Sequence, residues 1–372
     1  MAEDKNNSPP ISISMDDFYQ SLPTGSIEKA IGNNLYGINH RQIQGLVPTN
    51  KDRYGLTFFV RPQLNLQSDN IRNLRAFYPL LSKVDISILR YVRMMLDPRL
   101  GLIGTTTLPP LKSLLVDNSQ AFIPVLTNNL MSISGWPDMV VPYFDSKKGL
   151  YGDQYSQVDG ITDIYGTYDL TATFKNTRGD PILYLFYIWS IYTAKVFEGK
   201  LVPYPDYIMQ NRLDYNTRIY RLVLDPTMQY VRKIGACGVA FPVNNPVAQY
   251  FDFTNDKPFN DQTKDISIQF HCTGACYFDD ILIKEFNETV AIFNPDMQGN
   301  MISSQMIKVS QALLPYFNNR GYPRINPNDY ELEWYVPKGL YQTVTRNVLN
   351  NPITNTQSRI ESTPTLPKTI TV

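Results

Sequence analysis

Tyr168-Asp169-Leu170-Thr171-Ala172-Thr173-Phe174 alternates apolar and polar residues, the period of a strand with one face buried and one face wet. Asn176-Thr177-Arg178-Gly179 reads as a turn, and Asp180-Pro181 reads as a helix start. There a carboxylate is expected at the N-cap and proline at the first helical position, where no N–H is needed. Ile182, Leu185, Phe186, Trp189, Tyr192 and Val196 place an apolar stripe along that helix, and Gly199 ends it. Two strands over Thr217–Leu224 and Tyr230–Ile234 follow, joined by the turn Asp225-Pro226-Thr227-Met228. Phe241-Pro242-Val243-Asn244 reads as a corner and Tyr250-Phe251-Asp252-Phe253 as a short strand. Asp265–Cys276 reads as a longer strand alternating Ile266, Ile268, Phe270 and Cys272.

Taken in that order, these pieces resemble the tube-fold module of contractile phage tails. The pieces are the strand Tyr168–Phe174, the helix through Trp189, the hairpin Arg218–Ile234 and the Gly-Val-Ala-Phe-Pro-Val run at Gly238–Val243. Phe251-Asp252-Phe253 and Ile266–Phe270 complete the series. Ile133-Ser134-Gly135-Trp136-Pro137 is similar to the family's segment leading into a leucine-proline-glycine loop. The resemblance covers roughly 165 of the 372 residues, and its specificity lies in the order, since each motif alone is common.

The resemblance implies an α+β fold: a tail-tube-like β-sandwich or barrel with one packed helix and a long hairpin. It also implies a structural virion protein of the tail, assembled in the host cytoplasm, whose subunits close a six-fold ring. The ring would initiate or continue the tail tube, with a baseplate-proximal adaptor favoured over the main tube or a neck protein. Its partners would be further copies of itself, other tube, hub or baseplate proteins, and DNA in transit. Leu185, Phe186 and Trp189 are expected in the core of the helix–sheet layer. The hairpin carries apolar residues on both faces, which suits strands packed on a helix layer and sideways on a neighbouring subunit. Arg218, Tyr220, Arg221, Val223, Val231 and Arg232 are accordingly expected at an inter-subunit channel wall.

The rest of the chain is expected as additions to that module. Residues 1–35 are polar and read as an arm, with a short helix through Met15–Tyr19. Residues 36–110 read as a separate N-terminal α/β unit ending at Pro109-Pro110, with a strand near Tyr54–Val60 and helices after Ser68 and over Ile86–Leu96. The tube-like domain then covers 111–290, with a long loop at 145–163. A C-terminal helix and extension cover 291–344, in which Met297–Phe317 carries a helical pattern, and 345–372 reads as a flexible tail.

Composition narrows the function. Lys+Arg and Asp+Glu both number 34, so no excess of positive charge suggests a dedicated DNA-wrapping surface. The 25 Tyr and 27 Pro suit a β-rich protein with ordered loops and large protein contacts. Cys237, Cys272 and Cys276 are too few for a disulfide framework and read as reduced thiols. The N-terminus has no apolar signal-peptide core, and no run of 18 apolar residues is present.

No catalytic residue, metal site or cofactor emerges. The phosphate-loop, dinucleotide, Gly-x-Ser-x-Gly and His-Glu-x-x-His motifs are absent. His271-Cys272 with Cys276 has the wrong spacing for zinc, and strand alternation sends His271 and Cys272 to opposite faces. Asp153, Asp159 and Asp163 lack calcium-loop spacing, and Asp279-Asp280 reads as a turn. A hub enzyme therefore lacks a site; a host-binding module would rest on the aromatics of 320–345.

Overall fold

The structure, a computed structural model, describes Ser21 and residues 50–101, 111–160, 163–252, 254–256, 258 and 263–350, the last four by backbone alone. The chain divides into Met1–Asp52 and Arg53–Val372, and every element named here lies in the second. The expected N-terminal arm, the helix at Met15–Tyr19, Pro109-Pro110 and most of the C-terminal tail lie outside the described residues.

Six strands form one antiparallel sheet in the order β1-β6-β7-β8-β5-β2. They are β1 (Arg53–Phe59), β2 (Leu130–Ser134), β5 (Thr167–Lys175), β6 (Ile219–Leu224), β7 (Val231–Asn244) and β8 (Asp265–Tyr277). Beyond β1, residues 121–123 return alongside it: Arg61 N donates to Ala121 O at 2.9 Å and Ile123 N to Phe59 O at 2.9 Å. From there the short helix α3 (Pro124–Asn129), which follows α1 (Ser68–Ile71) and α2 (Ile88–Leu96) in the chain, leads straight into β2 at the opposite edge. The sheet is thus curled into a nearly closed barrel.

β5 and β8 show why the sequence folds this way. Leu170, Ala172 and Phe174 stand opposite Phe270, Ile268 and Ile266, all buried. They pack on α4 (Pro181–Phe197), whose Leu185, Phe186, Trp189 and Tyr192 lie in the same core. Phe186 stacks on Trp189 at 6.1 Å and meets Phe174 and Phe270 at 5.9 and 5.7 Å. The indole N–H reaches Tyr215 O at 2.9 Å, so the buried ring leaves no donor unpaired. Asp180 does not cap α4. It sits in the left-handed region at φ 51°, and its carboxylate accepts from Asn176 Nδ2 at 2.6 Å instead. Gly199, at φ 70°, ends the helix as its sequence position suggests.

A second core lies on the other side of β1, β6 and β7. Phe58, Tyr220, Leu222 and Leu224 pack there with Phe286 and Val290 of α6 (Ile281–Phe293), the helix that follows the short α5 (Pro205–Met209) in the chain. Ile325 and Leu332 join them from a three-stranded sheet, β10 (Tyr322–Ile325), β11 (Leu332–Pro337) and β9 (Met306–Val309). Their neighbours Phe59 and Ile219 point into the first core. At Phe58–Phe59 and Ile219–Tyr220 successive residues of these strands are buried on both faces within a single chain. That accounts for the two apolar phases at the start of the Arg218–Ile234 hairpin, whereas Arg232 and Lys233 further along it are exposed.

Five further expectations change. Residues from Arg53 onward are not a separate unit: β1 pairs with β6, and Phe59, Leu64 and Leu66 share the core of α4. Arg61 binds this region together, wholly buried and donating to the carbonyls of Met94, Met95, Asp117, Asn118 and Gln120. Phe241–Asn244 is no corner but the end of the long strand β7, with a bulge beside Pro242. Val247–Tyr250 is a short 3-10 turn followed by an exposed Phe251, so no strand starts there; Phe253 lies outside the described residues. The helical pattern of Met297–Phe317 is divided among α7 (Met301–Gln305), β9 and a 3-10 turn over Gln311–Phe317. The last long helix is α8 (Lys338–Asn350), which reaches into the expected flexible tail.

Candidate assembly surfaces

The outer face of β5 and β8 is the reverse of their apolar face. Thr167, Asp169, Thr171, Thr173 and Lys175 stand opposite Thr273, His271, Gln269, Ser267 and Asp265 in register. Ser132 and Ser134 of β2 continue this face beside Thr173 and Thr171. All these side chains are exposed or half-buried. His271 Nδ1 lies 2.8 Å from Asp169 Oδ1, while Cys272 turns into the core, as strand alternation requires. No helix packs over this surface among the described residues, because α4 occupies the other side. The result is a broad wet β-surface made mostly of hydroxyls and amides.

Between β2 and β5 the chain leaves the sheet as an arm over residues 135–160. Its root is fixed: Trp136 packs against Tyr168 and Tyr277 at 6.3 and 6.1 Å, and the Tyr277 hydroxyl donates to Pro137 O at 2.8 Å. Beyond the root lies a two-stranded ribbon, β3 (Tyr143–Asp145) and β4 (Ser156–Val158), with only three register pairs. Met139, Val140, Val141, Tyr143, Phe144, Leu150, Tyr151, Tyr155 and Val158 are all more than half exposed, and Leu150 and Tyr151 at the tip are 93% exposed. An isolated ribbon of this size is marginal in water, and so large an apolar display marks a contact surface. Composition concealed it, since the Gly and Asp content of 145–163 reads as an ordinary loop.

The hairpin residues singled out from the sequence do not form an open edge. β6 has β1 on one side and β7 on the other, and β7 lies between β6 and β8. Tyr220 is buried against Phe286 and meets Thr289 Oγ1 through its hydroxyl at 3.2 Å. Val231 is buried, its N–H donating to Tyr330 O at 2.9 Å. Arg218 pairs with Glu285 at 2.6 Å and donates to Cys237 O, and Arg221 donates to Thr57 Oγ1 and Gly55 O of β1. Val223 is half-buried and Arg232 exposed. Leu185, Phe186 and Trp189, by contrast, sit together in the first core.

Among the described residues no three His, Cys, Asp or Glu side chains gather to hold a metal, and no helix is long and apolar enough to cross a membrane. Buried carboxylates occur, but inside the packing. Asp97 accepts from Leu66 N, Arg99 N and the Tyr204 hydroxyl, and burial pushes its carboxyl up to about 7 against those bonds.

A family model described as a putative phage tail tube protein matches residues 4–350. The chain belongs to that tail tube family. It is thus a tube-related structural protein of the phage particle rather than an enzyme. No curated protein matches it. Among solved structures, the tube-terminating cap of the anti-feeding prophage is 14% identical with a TM-score of 0.26, covering 42% of this chain and 81% of that one. A sheath/tube terminator of the extracellular contractile injection system PVC, in its extended state, is 12% identical with a TM-score of 0.23, covering 43% and 88%. The sheath–tube complex of the same system gives 13% and 0.24, covering 42% and 82%. At these scores the family assignment rests on the family match.

Proposed function

We propose that this tail tube family member forms a ring, through its arm and its sheet edges, that initiates or continues the tube of a contractile-type tail. The observation that carries this reading is the arm, whose apolar side chains have no cover among the described residues. A display of that size calls for a second surface to bury it, and in a ring or stack that surface belongs to another copy or a neighbouring tail protein. The edges support the same reading. Among the described residues, β2 is paired only with β5, and β1 along Arg53–Phe58 only with β6. Open edges left in solution template uncontrolled pairing, and a head-to-tail ring removes them. Six copies around an axis would enclose a lumen through which DNA passes.

Within the tail, an adaptor at the baseplate-proximal end of the tube fits the additions best. The β9–β11 sheet and helices α6–α8 give the chain a second layer that a repeating subunit does not need. The test is electron microscopy of the purified protein across a concentration series, with sedimentation alongside. Rings with the arm in a contact are expected. A monomer at every concentration, in the presence and absence of its tail neighbours, would overturn the reading.

A further inference from the structure

We infer that the tip of the arm, Leu150 and Tyr151, is received by an apolar cleft on another copy of this chain, at the seam between the large sheet and the C-terminal layer. This rests on the ring reading above and names the surface that the arm meets.

The cleft holds about 710 Å³, inside the range of roughly 300–1,000 Å³ that takes a compact ligand. Tyr91 of α2, Leu114, Leu115 and Phe122 line it from the first part of the chain, and Trp334 of β11 and Leu340 of α8 from the C-terminal layer. Leu114 and Leu115 are more than half exposed, so the cleft is left bare as the arm is. Its α3 lining lies where the chain enters β2, whereas the arm leaves β2 at the other end. Among the described residues none of the arm lines the cleft, and Leu150 and Tyr151 stay 93% exposed. The chain therefore does not fill its own cleft.

A bare apolar projection and a bare apolar cleft at different places on one chain make a head-to-tail contact, the kind that closes rings or extends stacks. The area is sufficient. Each covered aromatic removes roughly 150–250 Å² from water. Tyr143, Phe144, Tyr151 and Tyr155 with their aliphatic neighbours thus offer on the order of 800 Å², about the share one partner gives to a stable interface. The charges match as well. Lys147 and Lys148 stand exposed just before the tip and Asp153 just after it, while the cleft carries an exposed Asp117 and Arg320. Pairs at such a rim steer approach and fix register, and the buried aromatics supply the affinity. Asn318 and Asn319, exposed at the cleft, offer amides to the Tyr151 hydroxyl.

The experiment joins the two sites in the full chain. Lys148→Cys and Asn128→Cys place thiols beside the tip and in the cleft lining, and a short bis-maleimide links thiols that come close. The double variant is expected to give a ladder of multimers. An equal mixture of the two single variants is expected to stop at dimers, because each copy then offers half of the contact. Wild type sets the background from Cys276. Dimers from Lys148→Cys alone would mean that tips meet tips, and an internally linked monomer would put the tip on its own chain; either overturns the inference. Carbodiimide coupling reads the unaltered protein, whether or not a variant folds. Mass spectrometry is expected to find Lys147 or Lys148 joined to Asp117 of another copy, whereas Asp117 joined to Lys368 would give the cleft to the C-terminal segment and overturn the inference. Leu115→Asp is expected to weaken association about tenfold or more in sedimentation with an unchanged unfolding midpoint; association as tight as wild type would count against the cleft. Rings without any tip-to-cleft link would sink this assignment and leave the ring reading intact. A chain that never associates would sink both.

Discussion

Two hairpins in this chain meet opposite fates. The strands β6 and β7 are paired on both sides, and most of their apolar residues are covered, by the core of α4 on one face and by α6 on the other. Among the described residues the ribbon β3–β4 has no flanking strand and no cover, yet it carries some of the most exposed apolar side chains there. In the sequence the first reads as a hairpin, and the second falls largely in the stretch 145–163 that reads as a loop. What separates them is which surfaces the rest of the chain leaves free, and that is settled by long-range pairing. The hairpin that looks ready for a partner has spent its surfaces on its own subunit, and the one that looks like a loop has kept them.

The largest effect expected comes from proline in the covered hairpin. Tyr220→Pro removes a ladder N–H and a buried ring together, and is expected to destabilise the monomer by more than about 4 kcal/mol. Chemical denaturation or loss of soluble protein reads this. A folded, stable Tyr220→Pro monomer that merely failed to assemble would return β6–β7 to the interface and break the comparison.

Trp189→Ala comes next, with a loss of roughly 3–5 kcal/mol, since it opens a cavity between α4 and β5 and orphans Tyr215 O. Urea denaturation of the isolated subunit measures it. A change under about 1 kcal/mol would place Trp189 outside the core that covers the inner face of β6–β7.

Asp97 sharpens the same contrast through pH. Its folded carboxyl titrates near 7 because it is buried, whereas in an unfolded chain it titrates near the ordinary aspartate value, about 3.9. Between those values the folded state holds a proton that the unfolded state has lost. Unfolding then releases a proton, and this group's contribution to stability falls as pH rises. The slope is at most about 1.4 kcal/mol per pH unit, and it flattens above pH 7. Asp97→Asn is expected to remove this slope in denaturation curves taken from pH 4.5 to 7. An unchanged slope would mean that Asp97 is not the buried acid responsible.

The smallest effect on stability is the most telling for the arm. Leu150→Ser with Tyr151→Ser changes two fully exposed side chains, and the monomer's unfolding free energy is expected to stay within about 0.5 kcal/mol. Assembly, followed by sedimentation, is expected to be lost. Phe144→Pro tests the ribbon in the same way. A destabilised monomer from either change would show that the arm packs on its own subunit.

Much of this fold is legible in the sequence where period and burial agree locally. β5, α4 and β8 all announce themselves through Leu170–Phe174, Leu185–Trp189 and Ile266–Phe270. Pairing is not local, and there the reading stops. Nothing in Arg53–Phe59 says that its partner is β6, more than 150 residues onward. The run at Phe251 has the composition of a strand but no neighbour to pair with. Met301–Leu314 has helical spacing, but Met306–Val309 is taken from it by pairing with Trp334–Pro337. The wet face of β5–β8 was half visible, as Thr171, Thr173, Ser267 and Gln269. The register that brings charges opposite one another was not. The arm left the weakest trace, because exposure is decided by what fails to cover a residue.

The rooting of the arm has a mechanical consequence. Trp136 is wedged against the start of β5 and the end of β8, and the arm runs directly into β2 and β5 at that same end of the sheet. Tension on the arm therefore runs along β5, and its bonds to β8 take the load across nine register pairs at once rather than one pair at a time. Strands loaded in this sense yield by collective shear and resist far more than strands peeled apart. A single subunit pulled by residue 150 against its far end is expected to hold until the β5–β8 seam gives way in one step.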